Sequence, residues 1–360
     1  MTPQEARALY PVCDRFAYLN AGTFGPLARA AAAAVAERRA EDVERGRGGA
    51  AYFGWMNEAR ERVRALLAAQ IGVPPQDVAL TRATTDGCNL VLGGLGLRPG
   101  DEVVTTDVEH FGLLGALACS PATVRVAAVR DRPAAEALDA ILAEVGPRTR
   151  LLALSHVAWS TGHVLPVEAL KAQTGLPLLV DGAQSAGAIP VDASPLDFYT
   201  VSGQKWLCTP DSLGALYVRD PEALRVSAPS YFSQASYGPD GTFEPKEGAA
   251  RFDNGWIAPG LLAGAEAAIG LHPEWRFERA RQLAERCREL LDGRFDVVTE
   301  PGHATLVSFR VGGDTQELVG RLYERGVVVR DLPGTGWLRV SCGYWNDERD
   351  LDRLLEALEG

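Results

Sequence analysis

Residues 178 to 218 read LLVDGAQSAGAIPVDASPLDFYTVSGQKWLCTPDSLGALYV. An apolar run, LLVD, carries Asp181 at its end, and a second short run, DFYTVSG, delivers Lys205 just beyond its own. Both have the length and residue types of buried strands, and small or polar residues close each of them. Ligands of open α/β sheets collect at the carboxyl ends of strands, so these two tips mark a candidate site.

Of 36 basic residues only Lys171, Lys205 and Lys246 are lysines. Lys171 falls on an amphipathic helix and Lys246 lies beside Glu244 and Glu247, so both read as solvated charges. Lys205 sits between Gly203-Gln204 and Trp206-Leu207 with no charge close by. A desolvated amine has a lowered pKa and is a nucleophile, which is what a Schiff base with an aldehyde requires. Asp181 alone reads equally well as a strand-end cap. Taken with Lys205 it suggests pyridoxal 5'-phosphate, which needs an amine, an acid against its ring nitrogen, a phosphate cradle and a flat neighbour.

Outward from this stretch, short branched runs alternate with amphipathic ones: VALT near 80, EVVTTD at 102–107, VRVAAV at 124–129, LLALSHV at 151–157 and LPLLVDGAQ at 176–184. The pattern predicts an α/β fold with a large, mostly parallel sheet and helical crossovers. Upstream, 28–45 reads as a helix closed by the Gly-rich loop GRGGA at 46–50, with a second helix over 57–71. After Ser227 the chain turns loop-like, then helical over 259–272 and 274–291. The remainder reads strand (305–311), helix, strand, turn, strand, final helix, a smaller α+β C-terminal domain.

The chain has 360 residues, 46% apolar and 23% charged, with net charge −11. That balance argues against nonspecific binding to nucleic acid or to an anionic membrane, which takes a basic face. No apolar run is long enough to span a bilayer and the N-terminus lacks a targeting pattern, so the expected location is cytoplasmic. The six cysteines are dispersed without metal-ligand spacing, and no structural zinc or disulfide scaffold is expected. His156 and His163 lack a carboxylate partner at metal-binding spacing, and His156 reads as structural. GGLGLRPG at 93–100 does not give the GxGxxG of a dinucleotide site.

DGAQSAG followed by SGQKW resembles the class V branch of the fold type I pyridoxal-phosphate enzymes, which includes cysteine desulfurases, isopenicillin N epimerases and cyst(e)ine lyases. The resemblance runs in order through YLNAGTFGP (18–26), TRATTDGCNLVL, DVEHFG, SHVAWSTGHVLPV and RVSCGYWNDERDLDRLL. It implies a seven-stranded-type sheet in a large cofactor domain over 21–255, a small C-terminal domain over 256–360, and an N-terminal segment, 1–20, packed on the small domain. It also implies that Lys205 is the Schiff-base lysine, Asp181 the partner of the ring nitrogen and Gln184 a neighbour of the ring oxygen. Thr84 and Thr85 occupy phosphate-loop positions at a helix N-terminus, flanking Ser202 and Gln204 reach the phosphate, and His110 stacks on the ring. Gln204 stands where the family usually has a histidine, and Trp159 where many desulfurases have an asparagine; a tryptophan there walls the ring or substrate, or packs in the core.

Arg330 and Arg339 lie nine residues apart on two short strands joined by a Gly-rich turn, close enough in sequence for their guanidinium groups to converge. By resemblance Arg339 holds the substrate α-carboxylate and Arg330 assists. Classical desulfurases carry a nucleophilic cysteine on a loop ahead of that arginine, whereas residues 300–338 contain none. The WSTGHVLP segment, the QKW lysine motif and the arginine pair look most similar to the cystine C–S lyase type within class V, which implies α,β-elimination on a cysteine-derived amino acid such as cystine; the alternative is a class V aminotransferase or epimerase of another amino acid, or a desulfurase lacking the usual catalytic cysteine. The family further implies a homodimer with shared active sites, in which RFDNGWIAPG (251–260) approaches the neighbouring phosphate, with Gly255-Trp256 where Gly-Thr is common.

Overall fold

The computed structural model describes all residues, 1–360. Its centre is a seven-stranded sheet of β1 (Val78–Thr81), β2 (Glu102–Thr106), β3 (Thr123–Ala127), β4 (Thr149–Ser155), β5 (Leu178–Asp181), β6 (Phe198–Ser202) and β7 (Gly214–Val218). In space the order is β1-β7-β6-β5-β4-β2-β3. The strands run parallel except β7, which is antiparallel to both its neighbours. Helices cover both faces, so the central strands are buried on both sides and read as continuous apolar runs.

The alternation of side chains divides those runs between two cores. Val104, Leu152, Leu154, Val180 and Val201 pack on one face with Val63 and Leu67 of the helix Gly49–Gln70. Val103, Leu151, Ala153 and Leu179 pack on the other with Cys88 and Val91 of the helix Thr84–Gly94, and with Leu113 and Leu117 of the helix Phe111–Ala118. The fold is the fold type I architecture expected from the sequence.

Three sequence expectations need correction. The helix expected from Asn57 starts at Gly49, because Gly46 to Gly48 alone break the chain; Tyr52, Met56, Ala59 and Val63 then continue one buried helical stripe. Within the segment after Ser227, Gln234–Tyr237 and Phe243–Pro245 pair as an exposed antiparallel hairpin whose turn uses Gly241 at positive φ. The helix Pro259–Ile269, assigned to the small domain, buries Leu262, Ala265 and Ile269 in the same core as the sheet. We therefore place the domain boundary after this helix, before Arg276–Leu291, rather than at 255/256.

The small domain is a three-stranded antiparallel sheet with Trp337–Ser341 between Leu306–Arg310 and Arg330–Leu332. Its register sets Arg330 directly opposite Arg339. The N-terminal segment packs here: Ala17–Tyr18 pairs in parallel with Val327–Val328, and Arg7 bonds Asp350 at 2.6 Å. The rings of His163 and His303 lie tilted against each other, 4.8 Å apart, across the junction of the domains, where His303 Nδ1 accepts from Val164 N–H at 3.1 Å.

The segment 251–256 is tied down from below. Asp253 is fully buried and accepts from Arg60 (2.7 Å), Arg64 (3.0 Å) and Leu80 N–H (2.8 Å). Removing one partner of a buried ion pair strands the remaining charge, at a cost of about 3–5 kcal/mol. Asp253→Ala is therefore expected to lower stability by about that amount, read as a shift in the urea midpoint, whereas changing the exposed Arg82–Asp86 pair leaves it within about 1 kcal/mol of the parent.

Candidate active site

The carboxyl ends of β1, β2, β4, β5 and β6 open toward the small domain and bring the site residues together. Asp181 forms the last rung of β5, between Ser155 of β4 and Thr200 of β6, and one of its oxygens accepts from Ala183 N–H at 2.9 Å. Burial raises its pKa, opposed by the charge of Lys205, that N–H and the hydroxyls of Thr84 and Thr200. Lys205 follows β6 and lines the cleft with a small exposed fraction. Burial brings its amine down to about 8, with Asp181 opposing and Arg339 and Arg330 adding to the effect. Lys205 forms no ion pair, unlike Lys171, which bonds Asp197 at 2.6 Å and is less exposed than a solvated lysine.

The helix after β1 begins at Thr84, whose N–H donates to Ser202 Oγ at 3.1 Å. The neighbouring first-turn N–H groups have no acceptor within the helix, so this end is a ready anion site. Thr85 lies beside Gly112, where an added Cβ would come within 2.6 Å of its hydroxyl. Gln204 is anchored only by its backbone carbonyl, which accepts from Gly25 N–H at 2.8 Å; its side-chain oxygen is buried without a partner.

His110 caps the helix Phe111–Ala118 through Nδ1, which accepts from Gly112 N–H at 3.2 Å. Burial and the nearby charges of Lys205, Arg330 and Arg339 lower its pKa to about 4, so the ring is neutral. Its edge meets Trp159 at 5.1 Å, and the Arg330 guanidinium lies 5.6 Å from the other ring's centre. Trp159 thus lines the site rather than the core behind it. His156 instead contacts Tyr199 hydroxyl at 3.0 Å behind the sheet tip.

The two arginines converge. Arg330 Nη1 and Arg339 Nη2 each donate to Thr23 Oγ1 at 3.3 Å, and Arg339 Nη1 donates to the Trp159 carbonyl at 3.0 Å. Arg339 is fully buried, no carboxylate pairs with either group, and Arg339 Nε has no partner. Burial and Arg330 lower the Arg339 pKa to about 9. A buried guanidinium beside a half-buried one without a counter-ion is costly, and a bound carboxylate would relieve both.

Gln184 is buried beneath this group; its amide nitrogen donates to Gly22 carbonyl at 2.8 Å and its oxygen accepts from Trp206 Nε1 at 3.0 Å. Trp256 lies apart from these residues, half-exposed against Phe232. Sequence reasoning singled out neither Thr23, in the glycine-flanked AGTFG, nor Trp206, nor the buried Glu109 next to His110. Glu109 accepts from Ser155 N–H and hydroxyl at 2.9 and 2.6 Å, and burial raises it to about 7. A polar residue inside a Gly-rich loop was the available signal for Thr23.

The class V aminotransferase model matches residues 44–354. The chain belongs to the class V aminotransferase family. It is 33% identical over 353 residues to isopenicillin N epimerase of Amycolatopsis lactamdurans, covering 84% of this chain and 83% of that one. It is also 33% identical over 320 residues to a probable cysteine desulfurase of Pseudomonas aeruginosa, covering 79% and 78%. Among solved structures, the cystine C–S lyase C-DES in complex with its product cysteine persulfide superposes with a TM-score of 0.89 at 30% identity, covering 97% of this chain and 98% of that one.

This class V enzyme uses pyridoxal phosphate, and its own residues fit that group. A depressed, unpaired amine, a buried carboxylate one strand away, a helix end with unpaired N–H groups and a free Gln204 amide are the donor set it requires. The neutral fraction of an amine governs its attack on the aldehyde. Capture of pyridoxal phosphate by the cofactor-free protein, followed by absorbance, is expected to speed up with pH through a midpoint near 8 rather than near the ordinary lysine value of 10.5, and Lys205→Ala is expected to abolish the covalent band.

Proposed function

We propose that this class V enzyme catalyses α,β-elimination from a cysteine-derived amino acid such as cystine, giving pyruvate, ammonia and a thiol or persulfide. The observation that carries this reading is the cleft's set of titratable groups: one amine poised near neutrality, two unpaired arginines, and no accessible thiol. When bound, pyridoxal phosphate supplies an electron sink conjugated to the substrate Cα, so that a Cα proton and a β-substituent can leave.

The chain's residues perform the remaining tasks. Arg339, with Arg330 and Thr23, grips the α-carboxylate and turns the Cα–H bond toward Lys205. Lys205 takes the Cα proton as its neutral amine and returns it to the departing sulfur. Asp181 would face the ring nitrogen and keep it protonated, Gln184 would face the ring oxygen, Thr84, Thr85, Ser202 and Gln204 would hold the phosphate, and His110 and Trp159 would wall the cleft. Water completes the balance by hydrolysing the released 2-aminoacrylate to pyruvate and ammonia.

The thiols argue against a desulfurase-type persulfide on the enzyme. Cys208, three residues after Lys205, is buried with its pKa driven up by desolvation, and the exposed Cys119 ends the helix Phe111–Ala118, away from the cleft. His110, held near 4, is a poor proton donor for a two-base inversion at Cα. Epimerisation of another amino acid is the second reading, supported by the similarity to isopenicillin N epimerase. Incubation of the loaded enzyme with L-cystine in deuterated water separates them: the lyase releases pyruvate and a persulfide, whereas no pyruvate from any S-substituted cysteine together with Cα deuterium uptake overturns it. Arg339→Leu is expected to reduce kcat/KM about 10- to 150-fold, the loss of about 1.5–3 kcal/mol from a charged hydrogen bond.

We further propose a homodimer. Phe111, Tyr231 and Trp256 are exposed large aromatics, at 79%, 64% and 51%, which a second copy would cover. Light scattering is expected to give twice the chain mass of 38.5 kDa; a species at the single-chain mass refutes it. No helix is long and apolar enough to cross a membrane. We read the protein as cytoplasmic.

A further inference from the structure

The side-chain amide of Gln184 is held at both ends. Its oxygen accepts from Trp206 Nε1–H at 3.0 Å, and one of its N–H groups donates to the Gly22 carbonyl at 2.8 Å. Both side chains are buried, at 3% and 2% exposure, so water does not substitute for either bond. A primary amide has one oxygen and two N–H groups. With one lone pair of the oxygen and one N–H engaged, the only donor left for the cleft is the second N–H. Flipping the amide would set its NH2 against the indole N–H and its oxygen against the Gly22 carbonyl, two unsatisfied buried contacts at once.

Three parts of the site meet at this amide. Gln184 stands on the turn that follows Asp181, where Ser185 and Ala186 N–H both donate to the Gly182 carbonyl. Trp206 is the residue after Lys205. Gly22 lies against Arg339, so closely that a Cβ there would come within 2.7 Å of Nη2. The next glycine on that segment, Gly25, would place a Cβ 2.0 Å from the Lys205 carbonyl. The indole therefore sits behind the reactive lysine and governs a group that faces the same cleft.

We propose that Trp206 is a positioning residue: its indole N–H locks the Gln184 amide so that only an N–H, never the oxygen, faces the ring oxygen of the cofactor. The proposal rests on the reading that Gln184 faces that oxygen. A fixed donor stabilises the ionised ring oxygen and weakens its hold on the proton it shares with the lysine-bound nitrogen. Without the indole N–H only the Gly22 carbonyl orients the amide, and turned conformers, which set its oxygen toward an oxygen of like partial charge, gain population. Proton affinity at the lysine-bound nitrogen rises.

The test is the pH titration of the visible absorbance of the pyridoxal-phosphate-loaded protein, wild type against Trp206→Phe, Gln184→Met and the double variant. Each single variant is expected to titrate about one pH unit higher, a tenfold gain in proton affinity, and the double variant no higher than the singles, because both remove one linkage. A wild-type midpoint in Trp206→Phe, or single shifts that add in the double variant, overturns the proposal. If Trp206→Phe does not fold, the indole proton resonance of Trp206 is followed in Gln184→Met instead. It is expected to move upfield on loss of its acceptor, and an unchanged resonance overturns the proposal. A wild-type protein that forms no visible band with pyridoxal phosphate fails the cofactor reading itself, whereas a normal band with no shift in the variants fails only the role given to Trp206.

Discussion

Everything in the cleft depends on carrying charge into a sheet tip from which water is largely excluded. Asp181 ends β5 with its carboxylate buried, and Lys205 lies one strand over. Burial alone pushes the carboxylate toward its protonated form and the amine toward its neutral form; each resists the other's neutralisation by its own charge. The result is an amine that is both present as a base near neutral pH and held beside an acid. A solvated pair at the same spacing would have an unshifted, fully protonated lysine and no such base.

The same reasoning connects the two domains. Arg339 is buried with a second guanidinium, Arg330, beside it and no carboxylate for either. The antiparallel register that sets the two opposite each other comes from the small domain, whereas Thr23, the hydroxyl on which they converge, comes from the N-terminal segment. That segment is itself bound to the small domain through Ala17–Tyr18 and to the lysine loop through Gly25. A bound carboxylate would complete an arrangement that the protein leaves electrostatically unfinished, at the place where large domain, small domain and N-terminus meet.

Much of this was legible in the sequence, for a physical reason. Buried parallel strands must be continuous apolar runs, and polar residues that interrupt them at the carboxyl end stand out, as Asp181, His110 and Ser202 do. Scarcity made Lys205 conspicuous among the basic residues. What was not legible depends on contacts across long sequence separations. Nothing local distinguishes the helix Pro259–Ile269 as part of the large domain, since its apolar face would suit either core; only its packing with the helix Gly49–Gln70 and the sheet decides. Thr23 and Trp206 likewise look like a loop hydroxyl and a core aromatic until Arg330, Arg339 and Gln184 are placed against them.

The three chemistries found among the relatives need the same cofactor anchor and differ in what surrounds the Cα and the β-substituent. The anchor is set by strand ends and a helix terminus, elements that the core holds rigid. The groups proposed to discriminate, Trp159 and Arg330, lie on a loop and on the small domain's edge strand, where a substitution disturbs little of the packing. A thiolate nucleophile in particular requires an exposed cysteine in an electropositive place, and the arginine pair supplies the field without the sulfur. Under the proposed elimination, the sulfur chemistry of this cleft would be that of the substrate's own leaving group, with Lys205 as the group that would move its proton.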